Sequence, residues 1–496
     1  MRNRLQYLRP VFEHLGVVSW VFGLSMIAPL TFQLFEWRGG EEPLQLLGFG
    51  LPVIGAIALG MLLRRNMSAD PLDGRRAMML TALAWVVVSG IGAIPIWLVL
   101  KVSFLDAYFE TVSGLTTTGI TMLQGLDELP RSVLFWRAFI QWLGGLGILA
   151  FFLAIVFLGG SAHALFSAES HKISSKRPAP GLFHTLRILW AVYAGYTAII
   201  ALALVLEGMG PFDAVTHAMT ALSTGGYSPH DASIAYYAEA GFRHATLIEY
   251  TVIVGMLLGG INFVVHSRLI AGRLTALWDT YEVRLFWGIL GTATGLVVLD
   301  HALRFGITAG NAHELVRTSL FQTSSILTTT GFATRDIGTS YFPQASRLVF
   351  LGLMLVGGCV GSTGGGVKVL RLGILWKMVG RQLRRLIYGA DTVQPIVVDR
   401  EVVREEELRR VGALFFAWAG LLGLGALVTA LLTDHGALAS ASGMFSALGN
   451  IGPCYIAPAD MTTLPAAVKL TYIVGMLAGR LEILPLLLIA NPRTWR

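Results

Sequence analysis

The stretch Leu115-Thr116-Thr117-Thr118-Gly119 recurs along the chain as Leu222-Ser223-Thr224-Gly225-Gly226, Leu327-Thr328-Thr329-Thr330-Gly331 and Leu448-Gly449-Asn450-Ile451-Gly452. The closing glycines are about 105 to 120 residues apart. A repeat of this length points to one supersecondary unit used several times. A short segment of helical character precedes the copies, as at 106–114, 213–221 and 314–326. Asp106, Asp213 and Glu314 stand near the starts of these segments, where a helix N-terminus favours negative charge.

Each copy lies between two long apolar runs. Such runs occur near 11–35, 44–63, 77–100, 139–158, 186–206, 246–266, 285–303, 348–372, 411–432 and 469–490. A membrane-spanning helix needs roughly 20 apolar residues, so about ten spans are predicted. The second span of each unit carries glycines: Gly144-Gly145-Leu146-Gly147, Gly259-Gly260, Gly357-Gly358, then Gly475 and Gly479. The unit therefore reads as span, re-entrant helix, loop, span. It gives an all-α polytopic membrane protein with four units at 71–170, 171–278, 279–400 and 401–496, quasi-symmetric about one central pore. Residues 1–70 add two leading spans outside the repeat.

Composition supports the membrane reading. Of 496 residues 54% are hydrophobic and only 14% are charged, against about 25% charged in soluble domains. A net charge of +7 does not imply nucleic acid here, because the basic residues fall in the breaks between apolar runs. Arg2, Arg4 and Arg9 precede the first span. Arg64, Arg65, Arg75 and Arg76, then Lys172, Lys176, Arg177 and Arg187, then Arg268, Arg273 and Arg284 fill alternate breaks. The largest cluster runs from Lys368 to Arg410, and Arg493 and Arg496 end the chain. The positive-inside rule places these segments and both termini in the cytoplasm. The first apolar run is too long for a cleavable signal peptide.

The intervening breaks are acidic, with Asp106, Glu110, Asp127, Glu128, Glu207, Asp213, Asp231, Glu239, Glu249, Asp434 and Asp460. Either they concentrate cations at an outer vestibule, or outer loops are simply poor in Arg and Lys. Cys359 and Cys454 form neither a disulfide framework nor a metal site. The eleven His show no ligand spacing. No nucleophile–base constellation is visible, so an enzyme is not expected.

Irregular backbone at membrane depth survives only where protein buries it or water reaches it. Four Thr- and Gly-rich loops around one axis can enclose a narrow path. Helix C-termini aimed at that path present partial negative charge. Gly permits unusual backbone angles, so carbonyls can turn inward and replace the hydration shell of K⁺. No carboxylate occurs in the four stretches, which disfavours a divalent cation. A secondary transporter coupled to protons or sodium is the alternative. Its usual mark is inverted repeats, whereas these units all run in the same sense.

These motifs resemble the Trk/Ktr/HKT superfamily of potassium transporters over nearly the whole chain, and the two leading spans resemble its Trk-type branch. The resemblance implies a potassium uptake subunit of the bacterial cytoplasmic (inner) membrane. It implies a K⁺ filter at Thr116, Thr117, Thr118, Gly119, Ser223, Thr224, Gly225, Gly226, Thr328, Thr329, Thr330, Gly331, Gly449, Asn450, Ile451 and Gly452. Asn450 and Ile451 replace two Thr, so the fourth loop is expected to offer almost purely backbone oxygens.

The run Gly357-Gly358-Cys359-Val360-Gly361-Ser362-Thr363-Gly364-Gly365-Gly366-Val367-Lys368 cannot remain a stable helix. It resembles the family's intramembrane gating loop. It is not a nucleotide-binding loop, because Lys368 lies between Val367 and Val369 rather than in a Gly-Lys-Ser/Thr order. Arg480 lies inside the last span, where a charge is costly and functional by default. The family implies a cationic barrier beneath the filter. A pair with Glu482, or snorkelling to the inner interface, is the structural alternative. The basic stretch around Arg381-Gln382-Leu383-Arg384-Arg385 reads as an anchor to membrane lipid. The family adds docking of a cytosolic nucleotide-binding regulatory subunit (TrkA-like) and a homodimer with one pore per chain. K⁺ is the expected cargo, with no organic cofactor in this chain.

Overall fold

The computed structural model describes residues 2–36, 43–64, 72–159, 182–388 and 394–495, with side chains over 7–35, 47–64, 72–145, 187–388 and 394–495. Among the basic residues read as inner anchors, Arg65, Lys172, Lys176, Arg177 and Arg496 lie outside these, as do the side chains of Arg2 and Arg4.

Helices dominate the described structure, which among its regular elements has one two-stranded antiparallel hairpin pairing Val397–Val398 with Glu401–Val402. Among the described residues six helical stretches are long and apolar enough to cross a membrane: Tyr7–Phe35, Leu47–Arg64, Gly74–Leu100, Arg187–Leu206, Tyr281–Phe305 and Glu405–Leu432. Helix Arg131–Gly159 occupies the fourth predicted run.

The three remaining predicted spans are broken. Glycine content anticipates the break between helices Gln344–Leu355 and Val369–Tyr388. The runs near 246–266 and 469–490, read as continuous, are not. Helices Ala245–Gly260 and Phe263–Ile270 meet at 109°. Asn262 starts the second of these by accepting a hydrogen bond from Val264 N–H at 2.8 Å. Helices Ala466–Arg480 and Leu484–Ala490 are separated by Leu481, Glu482 and Ile483, the last two at positive φ. Broken helices free carbonyls that need new donors at membrane depth. At the first break the glycine-rich loop supplies them: Cys359 N–H donates to Gly260 O at 2.9 Å and Thr363 N–H to Gly259 O at 3.2 Å.

The leading helices pack closely on each other. Gly16, Gly23 and Gly60 let the backbones approach; a Cβ on Gly60 would lie 2.6 Å from that of Trp20. Small residues serve this purpose where lipid removes the hydrophobic driving force. The pair then buries Phe22 and Phe49 against Trp136 of the first unit. Helical stretches Tyr7–Phe35 and Leu47–Arg64 thus act as a buttress for helix Arg131–Gly159.

Four short helices, Phe104–Leu115, Pro211–Leu222, Ala312–Leu327 and Ala437–Gly449, carry the four repeated stretches at their C-terminal ends. They start differently. Ser103 caps the first by accepting from Asp106 N–H at 3.1 Å, and Pro211 opens the second.

Candidate functional site

All four short helices end with the same backbone hydrogen bonds. Thr118, Gly225, Thr330 and Ile451 donate to carbonyls five residues back, Ser113, Thr220, Ser325 and Ser446, at 2.8 to 3.0 Å. Thr117, Thr224, Thr329 and Asn450 donate to carbonyls three residues back. This is a Schellman ending, whose left-handed residue is usually Gly. Here the left-handed position holds Thr117, Thr224, Thr329 and Asn450, at φ 53° to 57°. Three β-branched residues in that conformation cost of order 1–3 kcal/mol each. Two residues further on, Gly119, Gly226, Gly331 and Gly452 also have positive φ. Two left-handed residues in each loop turn successive carbonyls away from the helical direction.

The strained side chains have partners beneath the loops. Thr329 Oγ1 accepts from Gly365 N–H at 2.8 Å, and Thr224 Oγ1 donates to Thr363 Oγ1 at 3.1 Å. Thr117 Oγ1 accepts from Arg480 Nη1 at 3.2 Å. Asn450 Nδ2 donates to Thr118 Oγ1 and to the Met476 carbonyl, each at 2.9 Å. The Asn450 amide nitrogen thus ties loop four to loop one. Thr116 and Thr118, and likewise Thr328 and Thr330, pair their hydroxyls at 2.7 and 2.8 Å.

The glycines close a ring. A Cβ added at Gly119 would strike the Gly225 carbonyl; one at Gly226, the Thr330 carbonyl; one at Gly331, the Ile451 carbonyl. One at Gly452 would lie 3.0 Å from the Thr118 carbonyl. Each loop thus abuts the next in order and the fourth returns to the first. The four glycines line a cavity of about 990 Å³. Five carboxylates (Asp231, Glu239, Glu249, Glu314, Asp336) and three guanidinium groups (Arg137, Arg317, Arg335) also line it. Arg317 pairs with Glu249 at 2.8 Å and Arg335 with Glu314 at 2.5 Å. Several outer acidic residues serve elsewhere. Asp106 pairs with Lys469 at 2.5 Å, and Glu110 is fully buried against Arg137 at 2.8 Å.

The glycine-rich segment passes beneath this ring. Gly364 approaches the Thr328 carbonyl and Gly365 packs on Asn450. Gly358 contacts the Gly260 carbonyl, and Gly357 packs on Gly365 and Gly366 within the segment. Gly361 turns away and accepts from Phe263 N–H at 3.1 Å, and Lys368 Nζ donates to the Gly364 carbonyl. Arg480 bridges three elements. Its Nη2 donates to the Gly144 and Gly145 carbonyls at 2.6 and 3.1 Å, and its Nη1 to the Thr363 carbonyl at 2.6 Å. Glu482 forms an ion pair with Arg371 at 2.8 Å.

Sequence reasoning missed Thr363, Gln141, Glu282 and the Glu110–Arg137 pair. Glu282 Oε1 accepts from Val360 N–H at 2.7 Å and Leu370 N–H at 3.3 Å, holding the segment at two points. A carboxylate in the first turn of an apolar helix, and Arg137 and Gln141 one turn apart inside another, were the available signals.

A family model, TrkH, cation transport protein, matches residues 52–495. The Trk system potassium uptake protein TrkH of Escherichia coli (strain K12) is 32% identical over 500 residues, covering 99% of this chain and 100% of that protein. The Trk system potassium uptake protein TrkI of Halomonas elongata is 34% identical over 507 residues, covering 100% of this chain and 98% of that one. The crystal structure of the potassium transporter TrkH from Vibrio parahaemolyticus matches with a TM-score of 0.85 at 29% identity, over 98% of this chain and 99% of that one. Arrayed along nearly its full length on those relatives, the chain belongs to the TrkH family of cation transport proteins.

Proposed function

We propose that this chain carries K⁺ into a bacterial cell across the cytoplasmic membrane, through one pore enclosed by units 71–170, 171–278, 279–400 and 401–496. The observation that carries this reading is the closed order of glycine against neighbouring carbonyl: 119 on 225, 226 on 330, 331 on 451, 452 on 118. Carbonyl oxygens arranged in a ring can take the place of water around a monovalent ion. The relatives' names, potassium uptake proteins, give the same cargo.

The cavity above the glycines is the outer vestibule, and both termini face the cytoplasm. Arg480 and the segment 357–368 form the barrier below. The guanidinium sits where a permeating cation would pass from the Thr117 level, so its charge opposes conduction until the segment moves. A cytosolic nucleotide-binding subunit docks on the basic face around Arg384 and Arg385, and two copies of this chain form a homodimer.

The test is radiolabelled Rb⁺ uptake into liposomes holding the purified chain, competed with K⁺, Na⁺ and Li⁺, for the native protein and Gly119→Ser. The added Cβ meets the Gly225 carbonyl, so the substitution should weaken uptake or admit Na⁺. Native uptake blocked by K⁺ and not by Na⁺ is the expected result. Absence of Rb⁺ flux under every gradient, with or without cytosolic extract and nucleotide, would overturn the reading.

A further inference from the structure

In three units the residue three positions before the aligned glycine of the second span is methionine: Met256 before Gly259, Met354 before Gly357, Met476 before Gly479. In the first unit it is Gln141. The third position of the loop also varies. It is Thr118, Thr330 and Ile451 in three loops and Gly225 in the second. The two departures meet in space. The Gln141 side chain fills the volume that a Cβ on Gly225 would need. Its Nε2 donates to the Gly225 carbonyl at 2.6 Å, and its Oε1 accepts from Tyr227 N–H at 3.0 Å. The Tyr227 donor fixes which end of the amide is oxygen. The side chain is fully buried.

One amide thus clamps the backbone on both sides of Gly226. Arg137, one turn earlier on the same helix, holds the Ser228 carbonyl at 3.0 Å. The clamped Gly225 carbonyl is the one that abuts Gly119 and belongs to the ring. A carbonyl has two lone pairs, and Gln141 takes one of those on Gly225. Holding that oxygen in place opposes its moving inward toward a smaller ion.

We infer that Gln141 is a selectivity-determining positioning residue: its amide fixes the Gly225 carbonyl and so makes the second loop discriminate K⁺ from Na⁺. This rests on the reading of the four loops as a K⁺ filter. Native protein without Rb⁺ flux would sink that reading, whereas native flux with an unaltered ion ratio in the variants sinks this one.

The experiment compares Na⁺ and K⁺ competition against Rb⁺ uptake in liposomes for the native chain, Gln141→Glu, Gly225→Thr and the double variant Gln141→Ala/Gly225→Thr. Gln141→Glu keeps an acceptor for Tyr227 N–H and loses the donor to Gly225. The K⁺ preference should fall by about tenfold, the scale of one lost buried hydrogen bond, while flux persists. Gly225→Thr collides with the Gln141 side chain and should lose flux. The double variant makes room, gives loop two the threonine that loops one and three carry, and should recover flux. Equal loss of K⁺ and Na⁺ transport in Gln141→Glu, with the ratio unchanged, overturns the proposal. Should Gln141→Glu fail to reach the membrane, the other pair decides: native-like flux in Gly225→Thr, or no recovery in the double variant, overturns it.

Discussion

Arg480 lies one hydrogen bond, 2.6 Å, from the carbonyl of Gly144, a residue more than three hundred positions away in the chain. The same guanidinium reaches the Thr363 carbonyl and the Thr117 hydroxyl. The guanidinium fork spreads its donors over separate nitrogens in a fixed plane, so Nη1 and Nη2 serve different elements at once. Replacing Arg480 by Gln should therefore remove both the charge and the bridge. Basal Rb⁺ flux of the chain alone is expected to rise by about tenfold or more, since each ~1.4 kcal/mol taken from a barrier is a factor of ten in rate. Arg480→Lys should give an intermediate flux, keeping charge and losing the fork. Unchanged basal flux in a well-folded Arg480→Gln protein would remove the barrier role.

The glycine-rich segment depends on Glu282, whose carboxylate accepts from Val360 and Leu370. Truncation to Ala leaves two buried donors unsatisfied, at roughly 1–3 kcal/mol each. The segment contains a buried thiol, Cys359, and a second buried thiol, Cys454, lies elsewhere. Maleimide labelling of Cys359 should accelerate in Glu282→Ala while that of Cys454 holds at the native rate. Glu282→Gln, which can still accept, should label like the native protein. Equal acceleration at both thiols would mean general loosening instead.

The Glu110–Arg137 pair is enclosed, with side chains 0% and 2% exposed. Glu110 also accepts from Met122 N–H at 2.7 Å, so it anchors the backbone that follows Gly119. Removing one partner strands the other charge, and such losses run to about 3–5 kcal/mol. Arg137→Met should lower the thermal midpoint by far more than Glu110→Gln/Arg137→Met, which leaves no unpaired charge. Equal midpoints for the single and double variants would contradict this account.

At the cavity rim His230 is held between two carboxylates, Asp127 at 2.5 Å and Asp213 at 3.1 Å, and stacks on Tyr236 at 3.6 Å. His217 and Tyr237 also face it. Burial alone would lower the His230 pKa, but hydrogen bonds and charge from Asp213 and Asp127 outweigh burial and raise it above its ordinary value. A raised folded pKa means the clamp stabilises fully below the ordinary histidine value of about 6.5 and is lost as pH climbs through the folded value. The difference in thermal midpoint between native protein and His230→Gln should be largest in mild acid and shrink at alkaline pH. A difference independent of pH would show that the imidazolium charge contributes nothing.

Local rules made much of the architecture legible. Apolar runs of spanning length and short helices ahead of each repeated stretch follow from hydropathy and helix-end chemistry, which depend on near neighbours. The same rules erred at 246–266 and 469–490. Apolar content says that a segment prefers lipid depth; it does not say that the segment stays helical. Breaking after Gly260 is tolerable only because Cys359 and Thr363, a hundred residues away, donate to the freed carbonyls.

The sequence by itself determined that this chain is helical, lives in a bilayer and repeats one Thr- and Gly-rich loop four times. Tertiary structure alone decided what each loop touches. Whether Gly119 needs to be glycine depends on where the Gly225 carbonyl lies, and why Thr117 tolerates a left-handed backbone depends on Arg480. Glu110 reads as an outer acidic residue until Arg137 is seen to enclose it. Spacing along the chain carries periodicity and polarity, whereas the partner of a buried polar group is chosen by long-range packing that no local pattern records.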